Sequence, residues 1–224
     1  MKKTILIPLL LAAVVIAAML LRPGNQSHEA QQVSGLPWQI EILPDGNSKV
    51  FGLTLSRSTL GEAREHFGPD MEVAVIAQRG EAGALEAYYS SATAGVLTGK
   101  MVLVGELDKE TVARMREHAG KSRITENNAR KFTLSQEDLA LAYNAPVASI
   151  TFIPTANLDE ETAISRFGQP TERIRASEQV EHLLYPEKGL VLTLDGKGKE
   201  LLQYVAPRDF ARLRGIVLRP GTAN

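Results

Sequence analysis

The sequence predicts an α+β protein: two helix-plus-antiparallel-meander units in tandem, preceded by an N-terminal transmembrane helix. Three observations predict it. Residues 4–21 form an uncharged, mostly apolar run behind Lys2 and Lys3. Residues 157–205 read as one capped helix and four short β-rich runs set apart by turn residues. A shift of 100 residues lays the same order of signals, down to a Phe-Gly pair, over residues 50–107.

The first segment, residues 1–22, is an anchor or a signal. As a helix at ~1.5 Å per residue, the run of 18 residues from 4 to 21 reaches roughly 27 Å, near the hydrocarbon thickness of a bilayer. Lys2 and Lys3 hold the leading end in the cytoplasm. A cleaved secretory signal is the competing reading. Its small residues Ala12, Ala13, Ala17 and Ala18 lie inside the apolar run rather than after it, where a cut falls. Both readings export the remainder. The expected location is therefore the periplasmic side of a bacterial inner membrane, single-pass, or the soluble periplasm after cleavage.

Composition narrows the rest. Hydrophobic residues make up 44% of the chain but aromatic ones only 5%, so the core rests on Leu, Val, Ile and Ala. The chain has no cysteine, which excludes disulfides, thiolate metal sites, a cysteine nucleophile and an acylated N-terminal cysteine. Of the 25 basic residues, Lys2, Lys3 and Arg22 flank the apolar run; without them 22 face 26 acidic residues, a net −4. A mildly acidic body gives nucleic acid no basic face to bind.

Residues 23–49 read as a stalk, with a short strand near Ile40 and with Trp38, the single tryptophan, covering the edge of a core. The first unit, residues 50–107, opens on a β-like run. A helix follows, with Thr59 and Glu62 spaced as a capping box, Leu60, Ala63 and Phe67 on one face, and Gly68-Pro69 as its stop. Strands are expected at 73–77, 85–90 and 101–107. Residues 108–147 form a helical connector. Asp108 caps one amphipathic helix carrying Val112 and Met115, Ser135 and Asp138 open another, and residues 121–131 between them read as a loop. In the second unit, residues 148–214, Asn157 with Glu160 is the expected cap, and Gly168 and Pro170 end the helix. Strands are expected at 173–176, 180–185, 190–195 and 199–205. A turn or two of helix at 207–214 precedes the tail, residues 215–224.

No motif supplies chemistry. The histidines His28, His66, His118 and His182 form no pair at metal-ligand spacing. His66 and His118 each follow Arg-Glu near a helix C-terminus, where an imidazolium complements the dipole. No Gly-x-Ser-x-Gly, Ser-x-x-Lys or His-Glu-x-x-His occurs. Residues 95–100 have the outline of a phosphate loop, but the glycine spacing is short and Met101 stands where a Ser or Thr would hold Mg²⁺, so a hairpin turn is expected. The acids Asp159, Glu160 and Glu161 fit a first helical turn. The sequence thus assigns no catalytic residue, cofactor or metal. The alternative is an exported enzyme with a dispersed site around His66, His118 or His182 and a carboxylate.

A capped helix, Phe167-Gly168-x-Pro170, a strand ending in Tyr185, and residues 189–195 followed by Gly196, Gly198 and Leu201 together resemble the BamE/SmpA outer-membrane assembly module. The β-lactamase inhibitor protein family has a related fold in tandem. The resemblance covers about a quarter of the chain, and a fainter quarter through residues 50–107. It departs from the family in lacking the acylated cysteine and in carrying the helical section 108–143. It implies a binding role toward a protein partner. A helix covers one face of a small meander and leaves the other free, and the candidate contacts are Tyr88, Tyr89, Tyr185 and Tyr204, since tyrosine gives a large contact area at low entropy cost.

Overall fold

The computed structural model describes residues 34–125 and 128–218. The expected membrane segment, the first part of the stalk and residues 219–224 of the tail lie outside the described residues. The chain runs β1 (Glu41–Ile42), β2 (Ser48–Val50), β3 (Leu53–Thr54), α1 (Leu60–Phe67), β4 (Glu72–Ala77), β5 (Ala84–Ala94), β6 (Leu97–Gly105) and α2 (Lys109–Glu117). It continues through β7 (Lys121–Ile124), β8 (Arg130–Thr133), α3 (Gln136–Tyr143), β9 (Val147–Pro154), α4 (Glu160–Phe167) and β10 (Glu172–Arg175). β11 (Val180–Tyr185), β12 (Leu190–Asp195), β13 (Leu201–Val205) and α5 (Phe210–Val217) complete it. The α+β class is as the sequence indicates.

One antiparallel sheet of ten strands, ordered β10-β11-β12-β13-β9-β6-β5-β4-β8-β7, gathers the strands of both halves, while β1, β2 and β3 pair separately. The meanders expected as separate sheets are joined where β6 pairs with β9, from Gly99 opposite Pro154 to Val104 opposite Ser149. Gly99 permits that approach, because a Cβ there would lie 2.4 Å from the Ile153 carbonyl oxygen. Alternation decides which side chains enter the core. Leu85, Ala87 and Tyr89 of β5, Met101 and Leu103 of β6, Ile150 and Phe152 of β9, and Leu202 and Tyr204 of β13 all point to one face and are buried. α1 to α4 belong to that face. The Ala63 carbonyl of α1 accepts from Tyr89, Phe167 of α4 packs on Tyr185, Arg116 of α2 stacks over Phe132, and α3 lies against α1.

The helix ends follow from local chemistry, with one correction. Thr59 and Glu62 form the expected reciprocal box on α1. The cap of α4 is Asp159, whose carboxylate accepts from the Thr162 N–H at 2.8 Å, and not Asn157. Asn157 sits two residues too far out; its side-chain oxygen accepts instead from Lys199 Nζ at 2.9 Å. Gly68 and Gly168 close α1 and α4 with φ of 102° and 83°, values that favour glycine.

Residues 121–131 are not all loop. β7 and β8 form an antiparallel hairpin that extends the sheet beyond β4. Its residues are charged and largely exposed because β7 is an edge strand, where lysine and arginine discourage further pairing. Trp38 takes the edge position expected of it, half-buried against Phe167 with ring centroids 6.3 Å apart and the Arg166 guanidinium over its ring.

Candidate interaction surface

The four tyrosines separate by strand parity. Tyr89, Tyr185 and Tyr204 are between 1% and 3% exposed and are therefore corrected from contacts to core residues. Each hydroxyl donates to a backbone carbonyl: Tyr89 to Gly68 at 3.2 Å, Tyr185 to Gly168 at 3.1 Å and Tyr204 to Pro37 at 3.1 Å. Burial raises the pKa of all three phenols, that of Tyr89 to about 12. Tyr88, one residue from Tyr89, points to the opposite face and is half-buried.

That opposite face is where the fold leaves surface uncovered. Cross-strand pairing lays a row along it through Tyr88, Val102, Thr151, Gln203, Val191 and Leu184. At the Val191 and Leu184 end α5 covers the sheet with Phe210, Leu213 and Val217, in a cluster that also takes in Ile174 and Val205. Arg214 fastens α5 through two 2.8 Å hydrogen bonds to the carboxylate of Glu172 on β10. Toward β9, β6 and β5 no other helix of the described residues covers this face. Tyr88, Val102, Val104, Thr151, Ile153, Leu201 and Gln203 are half-buried there, neither sealed in a core nor fully in water.

The histidines do not converge. His28 lies outside the described residues. His66 is exposed at the end of α1, its ring edge-on to Phe67, beside a groove of about 570 Å³ lined by Trp38, Ile40, Phe51 and Phe67. His182 is buried on β11, with Nδ1 2.8 Å from Thr193 Oγ1, and burial lowers its pKa. His118 Nδ1 stands 3.4 Å from Asp138 Oδ2. This is the histidine–carboxylate approach that the enzyme alternative requires. Asp138, however, also accepts from Ser135 Oγ at 2.9 Å, while Ser135 Oγ accepts from the Asp138 N–H, so the group closes the start of α3. A serine whose proton is directed at the carboxylate is not poised against the imidazole for attack. Among the described residues no group of three or more His, Cys, Asp or Glu side chains is placed to hold a metal ion, and no helix is long and apolar enough to cross a membrane.

Sequence reasoning expected a free sheet face and placed Tyr88 on it, but misassigned the other three tyrosines for a physical reason. Alternation along β5 and β6 marks two faces but not which of them receives helices, and α5 crosses to the side opposite the other four. No known protein family, curated protein or solved structure matches the chain.

Proposed function

We propose that this chain is a membrane-tethered, periplasm-facing protein-binding module of envelope-assembly, adaptor or inhibitor type, working without a catalytic step. The observation that carries the reading is the incomplete helix layer on the Tyr88 face. An antiparallel sheet tolerates water on one side when that side is polar, and this one sets Tyr88, Val102, Val104, Ile153 and Leu201 among its polar Thr151 and Gln203. A protein surface laid on β13, β9, β6 and β5 would complete their burial.

The tandem BamE/SmpA-like plan is part of the proposal and rests on a repeated contact. In each half a strand tyrosine donates to the carbonyl of the glycine that ends the helix, with the preceding phenylalanine against the same ring. The tether rests on the apolar run at residues 4–21 and on Lys2 and Lys3.

Two measurements test the reading. Alkaline phosphatase, active only outside the cytoplasm, is fused after Ser34; activity in the carbonate-washed membrane pellet is expected, and an inactive fusion overturns the address. Val102→Arg and Thr151→Arg place charges on the bare face. They are expected to abolish co-purification of a protein from detergent-solubilised envelopes while leaving circular dichroism unchanged. Retained co-purification by both variants overturns the binding role of that face.

A further inference from the structure

The bare face contains one group that the fold leaves unprovided for. Glu86 of β5 stands between Ala74 of β4 and Val104 of β6, on the same side as Tyr88. It is half-buried, and its carboxylate makes no hydrogen bond or ion pair among the described residues. The cations of that face are elsewhere. Lys131 is bound to Glu72, which Arg123 also approaches at 3.9 Å. Lys100 lies four residues along β6 from Val104, roughly 13 Å away at ~3.3 Å per residue. Loss of hydration pushes the Glu86 carboxyl above its ordinary value, so ionisation at neutral pH costs the free fold something.

A lone carboxylate flanked by Ala74, Val104 and Tyr88 is a poor choice for the isolated molecule and a good one for a complex. Ion pairs closed off from water by surrounding apolar contact are the ones that set orientation and partner choice. We propose that Glu86 is the charged anchor point of the bare face, and that the protein docked there presents a lysine or arginine set among apolar side chains. This rests on the protein-binding reading above and adds the chemistry of the partner. Arginine suits the position best, since its flat guanidinium can stack on Tyr88 while donating to both carboxylate oxygens.

The test places the photocrosslinker benzoylphenylalanine at Val102 of the full chain in its own cells, with the same group at Glu65 on exposed α1 as a control. After irradiation, an adduct is expected at 102 and not at 65, and mass spectrometry locates the partner residues attached. Glu86→Gln is expected to reduce the adduct at least about tenfold, with the melting temperature of the purified chain unchanged or raised. Reversing the basic residue of the partner nearest the crosslink to glutamate should restore the adduct to a Glu86→Lys chain. An adduct indifferent to Glu86→Gln overturns the anchor and leaves the binding face standing. An adduct to a second copy of this chain overturns the partner. Absence of any adduct at 102 overturns anchor and face together.

Discussion

Tyr88 and Tyr89 are adjacent, yet their side chains belong to different environments, and the difference sets what each substitution does. Tyr89 gives its hydroxyl proton to the Gly68 carbonyl inside the core. Tyr89→Phe keeps the ring and strands that acceptor, at a cost of about 1 kcal/mol in a urea titration; Tyr185→Phe, with the matching bond to Gly168, should behave alike. Tyr88→Ala should leave folding nearly intact and weaken only the docked complex. Burial pushes the Tyr89 phenol from its ordinary 10.0 up to about 12, so the folded state holds the neutral form longer than the unfolded chain does. That contribution is whole below pH 10 and is lost as pH rises toward 12. Unfolding followed by circular dichroism should therefore show falling stability over that window, and Tyr89→Phe should flatten the fall.

The elements were legible wherever a local cap or stop spoke for them. Thr59 with Glu62, Asp108, Ser135 and the two Phe-Gly endings are all in place. Thr59→Ala removes the hydroxyl that accepts from the Glu62 N–H, leaves the residue-59 N–H still able to donate to the Glu62 carboxylate, and should cost about 1 kcal/mol. The choice between Asn157 and Asp159 has a direct check: Asp159→Ala lowers the urea midpoint, and Asn157→Ala leaves it in place. Elements that owe their form to neighbours were not legible. β7 and β8 carry Lys121, Arg123, Arg130 and Lys131, a composition that suits a loop equally well until β4 offers an edge to pair with. α5 was expected as a turn or two of helix, but its seat depends on Leu184 and Val191 across the sheet and on the Glu172 carboxylate. Arg214→Ala removes that fastening. Amide exchange should then quicken across residues 210–217 with the β5 and β6 amides still protected.

Across residues 34–218 the two halves do not have separate cores, although each repeats a helix, a Phe-Gly ending and a tyrosine. The β6–β9 pairing runs through the middle of the sheet, and Met101, Leu103, Ile150 and Phe152 from its two sides enter one cluster. Sequence periodicity marked β4 to β6 and β10 to β13 but set no bounds for β9, and it could not say that β9, which begins the second half, takes its partner from the first. That pairing joins residues about fifty apart, and the packing of Phe51 against Phe152 and Tyr204, with Trp38 on Phe167, shows how the segment before α1 also reaches into the second half. A shared core predicts shared unfolding. Trp38, the single tryptophan, rests on Phe167 and reports the second half by fluorescence, whereas far-UV circular dichroism averages every strand. The two signals should follow one urea transition with the same midpoint. Gly99→Ala forces a methyl group toward the Ile153 carbonyl and the Phe152 ring at the junction, and should move both curves down together. If the tryptophan signal stayed at its original midpoint while the dichroism shifted, the halves would be energetically separate, and the junction would be a contact between two folds rather than the middle of one.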